Sequence, residues 1–109
     1  MANPFAKSRK IDQPYAIYQA PNGWEWRVLK TYKKAANEIG DQYARWLVAA
    51  KSPHTYGEFE MGDTYAKEII TYGRLVAATP EWLKERKESG FQSWGLKKVP
   101  TPEEFIASE

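Results

Sequence analysis

Cysteine is absent from the 109 residues, and histidine occurs once. The first absence excludes a disulfide framework and any thiolate metal site. No apolar run approaches the ~20 residues that a membrane-spanning helix needs. The amino-terminal residues carry charge but lack the apolar stretch of a secretory signal. A strong charge of one sign is missing too: the formal net charge is +2. No catalytic, metal or nucleotide-binding motif stands out along the chain.

What the chain has is aromatic mass: five Trp, seven Tyr and four Phe. That content argues against a disordered polypeptide. The length fits one domain, able to bury roughly 65% of the surface its unfolded form exposes. The small net charge hides a split. Residues 1–34 hold seven basic side chains against Asp12 and Glu25, whereas residues 35–109 hold nine basic against twelve acidic ones. A polyanion-binding end and an ordinary basic tail both explain such a split.

The sharpest local signal is Pro21-Asn22-Gly23 followed by Trp24 and Trp26. Asn-Gly between apolar-rich runs marks a β-hairpin, with both turn residues expected at φ > 0. Tyr15 to Ala20 forms the rising strand and Trp24 to Tyr32 the returning one. The two-residue side-chain period puts Trp24, Trp26, Val28, Lys30 and Tyr32 on one face and Glu25, Arg27, Leu29 and Thr31 on the other. The first set, being more aromatic, is assigned to the core, with Trp26 at its centre. Lys33 to Gln42 reads as a polar connection. Tyr43 to Lys51 reads as a helix by its alanines and as a buried strand by Trp46-Leu47-Val48; Tyr43 and Trp46 favour strand three. Ser52 to Gly57 is a loop by its turn residues, and a short strand, Glu58 to Met61, follows.

Asp63 then caps the clearest helix, whose stripe of Tyr65, Ile69, Tyr72 and Val76, widened by Ala66, Ile70, Gly73 and Ala77, continues to Ala78. Thr79-Pro80 restarts a second helix to about Ser89, stopped by Gly90. Phe91, Trp94 and Leu96 form a return segment, and Thr101-Pro102-Glu103-Glu104 is a last capping box. The expected fold is α+β: a basic arm over residues 1–12, then one domain over 13–109. In that domain a three-stranded antiparallel meander packs on one main helix, with a second short helix and a C-terminal tail.

Four blocks carry a family resemblance: Trp24-Glu25-Trp26-Arg27-Val28-Leu29-Lys30, Tyr43-Ala44-Arg45-Trp46, Ser52-Pro53-His54-Thr55-Tyr56-Gly57 and Gly62-Asp63-Thr64-Tyr65. Together, over residues 13–72, the chain resembles small uncharacterised proteins of tailed phages that infect actinobacteria. The resemblance implies a phage origin and the host cytoplasm, and it implies no activity.

The chemistry-bearing residues are few. A catalytic His54 needs a nucleophile and an orienting group within hydrogen-bond reach. Ser52 lies two residues away in a loop, and no orienting group is fixed beside the pair by its spacing, so no catalytic residue is assigned. Glu58, Glu60 and Asp63 lack a recognised cation-loop spacing, so no metal or cofactor is expected. Arg27, Lys30, Lys33 and Lys34, interleaved with aromatics, are the candidate contacts if the partner is a nucleic acid. The second helix has an apolar stripe too narrow to bury its own rings and those after Gly90. Trp82 and Trp94, beside Lys84, Arg86 and Lys87, are therefore the candidate contacts for a protein partner. The functional expectation is a small non-catalytic phage protein that binds a host or phage macromolecule, a protein in the first reading and a nucleic acid in the second.

Overall fold

In the computed structural model, which describes residues 13–88 and 98–108, Pro21-Asn22-Gly23 closes a three-residue loop. The Gly23 N–H donates to the Ala20 carbonyl at 3.0 Å and the Ala20 N–H to the Trp24 carbonyl at 2.8 Å. Gly23, at φ 89°, enters the left-handed region. Pro21 holds φ negative, so the turn is the type I plus glycine-bulge form, in place of the expected two-residue form.

This loop joins β1 (Ala16–Gln19) to β2 (Glu25–Ala35), followed by β3 (Gln42–Ser52) and β4 (Thr55–Gly62). These four strands form an antiparallel meander. The helix α1 (Asp63–Tyr72) then crosses the sheet, and β5 (Arg74–Ala78) pairs with β1, giving the strand order β4-β3-β2-β1-β5. Two further helices follow, α2 (Pro80–Glu88) and α3 (Pro102–Ala107). The expected three-stranded meander on one main helix is thus corrected to a five-stranded antiparallel sheet. The segment read as the end of the first helix is its fifth strand. Gly73 is extended and its N–H closes on the Ile69 carbonyl. Beyond it β1 offers unpaired backbone groups, and pairing them outweighs the helical pattern of Leu75 to Ala78.

The inner face of the sheet carries Ala16, Tyr18, Val28, Trp46 and Val48, covered by Ala66 and Ile70 of α1 and Trp82 of α2. One register shift changes the face assignment. Between Val28 and Lys30 the β2–β3 ladder slips, so Val28 pairs with Val48 and Lys30 with Leu47. The extra residue, Leu29, is buried, and from there Lys30, Tyr32 and Lys34 share the outer face with Arg27, contrary to strict alternation. Trp26 remains on the inner face but only half-buried, packed against the core's margin.

β2 and β3 also outrun their neighbours. Their last pairs, Lys33 with Ala44 through Ala35 with Gln42, have no strand beside them among the described residues. The free ribbon ends in residues 36–41, where the Asn37 side chain accepts from the N–H groups of Ile39 (2.9 Å) and Asp41 (3.2 Å). The polar connection expected from Lys33 is therefore strand as far as Ala35.

The helix ends follow local chemistry in two cases. The Thr79 hydroxyl accepts from the Trp82 N–H at 3.3 Å, and the Thr101 hydroxyl from the Glu104 N–H at 3.2 Å. Asp63 does not cap α1. Gly62 takes that position without a side-chain bond, and the Asp63 carboxylate instead accepts from the Trp46 indole at 3.2 Å and pairs with Lys67 at 2.9 Å. The arm and the return segment fall outside the described residues. No helix among those residues is long and apolar enough to cross a membrane.

Candidate functional site

The α1 stripe expected to be core is turned by one position. Ala66 and Ile70 face the sheet, whereas Tyr65 and Tyr72 are 68% and 72% exposed. The cause is the closeness of the crossing. Ala66 is fully buried, and a side chain at Gly73 would collide with the Ile69 carbonyl and the Tyr18 Cβ. The aliphatic side chains of Ala66 and Ile70 fit beneath the helix, and the tyrosine rings turn outward. Ala66 and Ile70, the widening part of the expected stripe, are its buried part, and the tyrosines expected to centre it are exposed.

Tyr65, Glu68, Ile69 and Tyr72 lie at spacings of three, one and three, so they share a stripe along α1. They form one wall of a groove of about 360 Å³. Trp26 and Met61 of the sheet line it opposite, with Ala20 and Gly73 also in its lining. Trp24 extends this aromatic surface. Its ring stacks on that of Trp26, centroids 6.3 Å apart and planes 26° apart. The lining is almost wholly apolar, with Glu68 the single charged side chain.

The residues picked out for a protein partner are placed differently. Trp82 is 0% exposed, so its indole offers no surface. It is packed edge-on against Tyr15 and Trp46, each at 5.2 Å, and its indole N–H donates to the Tyr18 hydroxyl at 2.9 Å. The Arg86 guanidinium lies 4.4 Å from its ring centroid. The narrow stripe of α2 thus suffices, because the ring inserts among aromatics of the sheet and its flank. Lys84 and Lys87 are exposed on α2, and Trp94 lies outside the described residues.

The basic set splits between faces. Arg27, Lys30 and Lys34 are on the outer face and Lys33 is on the inner one. Arg27 pairs with Glu25 at 3.0 Å, Lys34 with Glu60 at 3.5 Å, and Lys30 sits over the Tyr32 ring at 5.1 Å. Acids intersperse these cations, so the four do not make one uninterrupted positive track. Glu60 is the hub of the outer face. The Tyr32 hydroxyl, then Arg45 at 2.9 Å, hold its carboxyl down at about 2, and the same bond pushes the Tyr32 phenol up.

His54 lies exposed in the β3–β4 turn, where its backbone N–H donates to the Ser52 hydroxyl at 3.4 Å. The turn, and no triad, accounts for that pair. Glu58, Glu60 and Asp63 do not converge: Glu58 accepts from the Tyr56 hydroxyl at 3.0 Å, and the other two are bonded as described. Among the described residues no group of three His, Cys, Asp or Glu is arranged to hold a metal ion. Comparison with protein-family models, with curated proteins and with solved structures finds no match for the chain.

Proposed function

We propose that the protein is a non-catalytic binding domain that captures a partner protein in the groove between α1 and the inner face of the sheet. One observation carries this reading. Two tyrosines a pair of helical turns apart stand in water along one wall of an apolar groove, while smaller residues of the same helix are buried. Exposed aromatic clusters around a concavity mark interaction surfaces, because large rings supply contact area at low entropic cost. The groove volume of about 360 Å³ falls within the roughly 300–1,000 Å³ typical of binding clefts. Apolar anchor side chains of the partner fill it, and Glu68 on the wall meets a partner cation. With the resemblance to small proteins of tailed phages, the binding is set in the cytoplasm of an infected host, and the partner is a host or phage protein.

The test is a photo-crosslinking residue in place of Tyr65, introduced into infected host cells, with nuclease treatment before recovery. The expected result is a protein crosslink that survives nuclease and disappears when Tyr72→Ser and Ile69→Ser are added, while the melting temperature stays within a few degrees. Capture abolished by nuclease, or untouched by the groove substitutions, would sink the reading.

A further inference from the structure

The two edges of the sheet are treated differently. At β5 the chain protects its own edge: the Ala78 N–H donates to the Pro100 carbonyl at 3.1 Å, and α3 packs against the strand. At the other end β4 is the outermost strand, and among the described residues nothing pairs with its outer side. The strand is eight residues long and pairs with β3 without a register shift. It contains no proline and no lysine. Proline, lysine and a bulge, three devices that blunt an edge, are absent from it, and among the described residues no segment covers it; its only charges are the carboxylates of Glu58 and Glu60.

The side chains of β4 alternate cleanly. Tyr56, Glu58 and Glu60 point to the outer face, and Gly57, Phe59 and Met61 to the inner face. Phe59 is half-exposed, its ring folded over Gly57. This pattern argues against a second copy as the occupant. Residues directly opposite in an antiparallel pair share a face, so two β4 strands overlap over all but one residue in two registers. With Phe59 opposite Phe59, each Glu58 faces a Glu60; shifted by two, Glu58 faces Glu58. Both place acid against acid, which is destabilising. A strand with lysine or arginine at alternate positions reverses the sign of those pairs. On the edge strand itself the only charges are Glu58 and Glu60; Arg45 and Lys34, which pair with Glu60, approach it from the side of the sheet away from the open edge.

We infer that the outer edge of β4 is a strand-addition site for an extended segment of a partner protein in which basic residues alternate with apolar ones. Backbone hydrogen bonds to β4 supply affinity. The basic side chains lie beside Glu58 and Glu60 on the outer face, and the apolar ones lie beside Phe59 and Met61 on the inner face. This surface shares Met61 with the groove, but its backbone edge and its acidic side chains lie outside the groove lining, so the inference does not rest on the groove reading.

The probes are three capped octapeptides titrated into the full chain by calorimetry: alternating Val-Lys, the same composition as a valine block followed by a lysine block, and alternating Val-Glu. Binding of the alternating Val-Lys peptide should be at least about tenfold tighter than that of either other peptide. It should slow amide exchange within residues 55–62 and vanish when alternate peptide nitrogens are methylated. Glu58→Lys with Glu60→Lys should transfer the preference to the Val-Glu peptide, and Tyr72→Ser in the groove should leave binding unchanged. Equal binding of the block peptide would show plain charge attraction and overturn the inference. So would protection that appears away from β4, or no binding of the alternating peptide by the unsubstituted protein.

Discussion

The indole N–H of Trp82 and the hydroxyl of Tyr18 meet at 2.9 Å, joining α2 to β1 across 64 residues of chain. Both side chains are buried, and Tyr15 anchors the same contact from the other end of β1, its hydroxyl donating to Glu85 at 2.6 Å. This cluster closes the inner face where α1 does not reach. Trp82→Ala removes the largest fully buried ring and leaves the Tyr18 hydroxyl without its donor. The expected cost is about 3–5 kcal/mol, a fall in Tm of roughly 15 °C or more. A thermal melt within a few degrees of the parent would contradict the packing described.

The same burial has a signature in alkali. Tyr18 is pushed up to about 12, chiefly by its removal from water, with the Trp82 bond and the Arg86 charge pulling the other way. In the unfolded chain this phenol ionises near 10. Between those values the folded state keeps a proton that the unfolded state has lost, so stability falls as pH rises, by about 2–3 kcal/mol across the window. Denaturant midpoints measured from neutral pH into alkali should drop in that window. Tyr18→Phe should flatten the drop.

On the acid side the sign reverses. Glu60 is held at about 2, first by the Tyr32 hydroxyl and then by Arg45. Any stability it contributes is present above the ordinary carboxylate range and is lost as pH falls from there towards about 2. Tyr32→Phe removes the largest cause and should raise the Glu60 titration midpoint, followed by side-chain carboxyl NMR. An unchanged midpoint would show that Arg45 and Lys34 alone hold the charge.

What the sequence reveals divides by range. The Pro21-Asn22-Gly23 loop and the hydroxyl caps at Thr79 and Thr101 were legible because each is settled within four residues. β5 was not, since Arg74 to Ala78 is a strand only because β1 lies beside it, and nothing local to those residues announces that neighbour. The slip at Leu29 was hidden for the same reason: a bulge is a property of the β2–β3 pair. The groove was obscured by a volume argument. Tyr65 and Tyr72 look like the core of α1 until the spacing between helix and sheet is known, and that spacing admits Ala66 and Gly73 instead. Trp82 failed in the opposite sense, because an apparently narrow apolar stripe hid a ring received by three aromatics from β1, its flank and β3.

Gly73 ties that spacing to a measurement. It sits where α1 turns into β5, at φ −90°, a value open to any residue, so conformational strain is not its reason. Its Cα hydrogen faces a space in which a methyl carbon would lie 2.5 Å from the Ile69 carbonyl oxygen and 3.1 Å from the Tyr18 Cβ. Both obstacles are at or near the backbone and cannot rotate away. Gly73→Ala must therefore lift α1 from β1 or break the Gly73–Ile69 turn, at an expected cost of about 1–3 kcal/mol. The lift would also distort the groove, since Gly73 lines it beside Tyr72. Gly62, at the other end of the helix, is the control. There a methyl would meet only the far end of the Arg45 side chain at 3.4 Å, and the φ of −76° suits alanine. Gly62→Ala should be neutral or stabilising by up to about 1 kcal/mol. If the two substitutions changed the denaturant midpoint equally, the close crossing would not be what selects small residues beneath α1, and another cause would be needed for the exposure of its tyrosines.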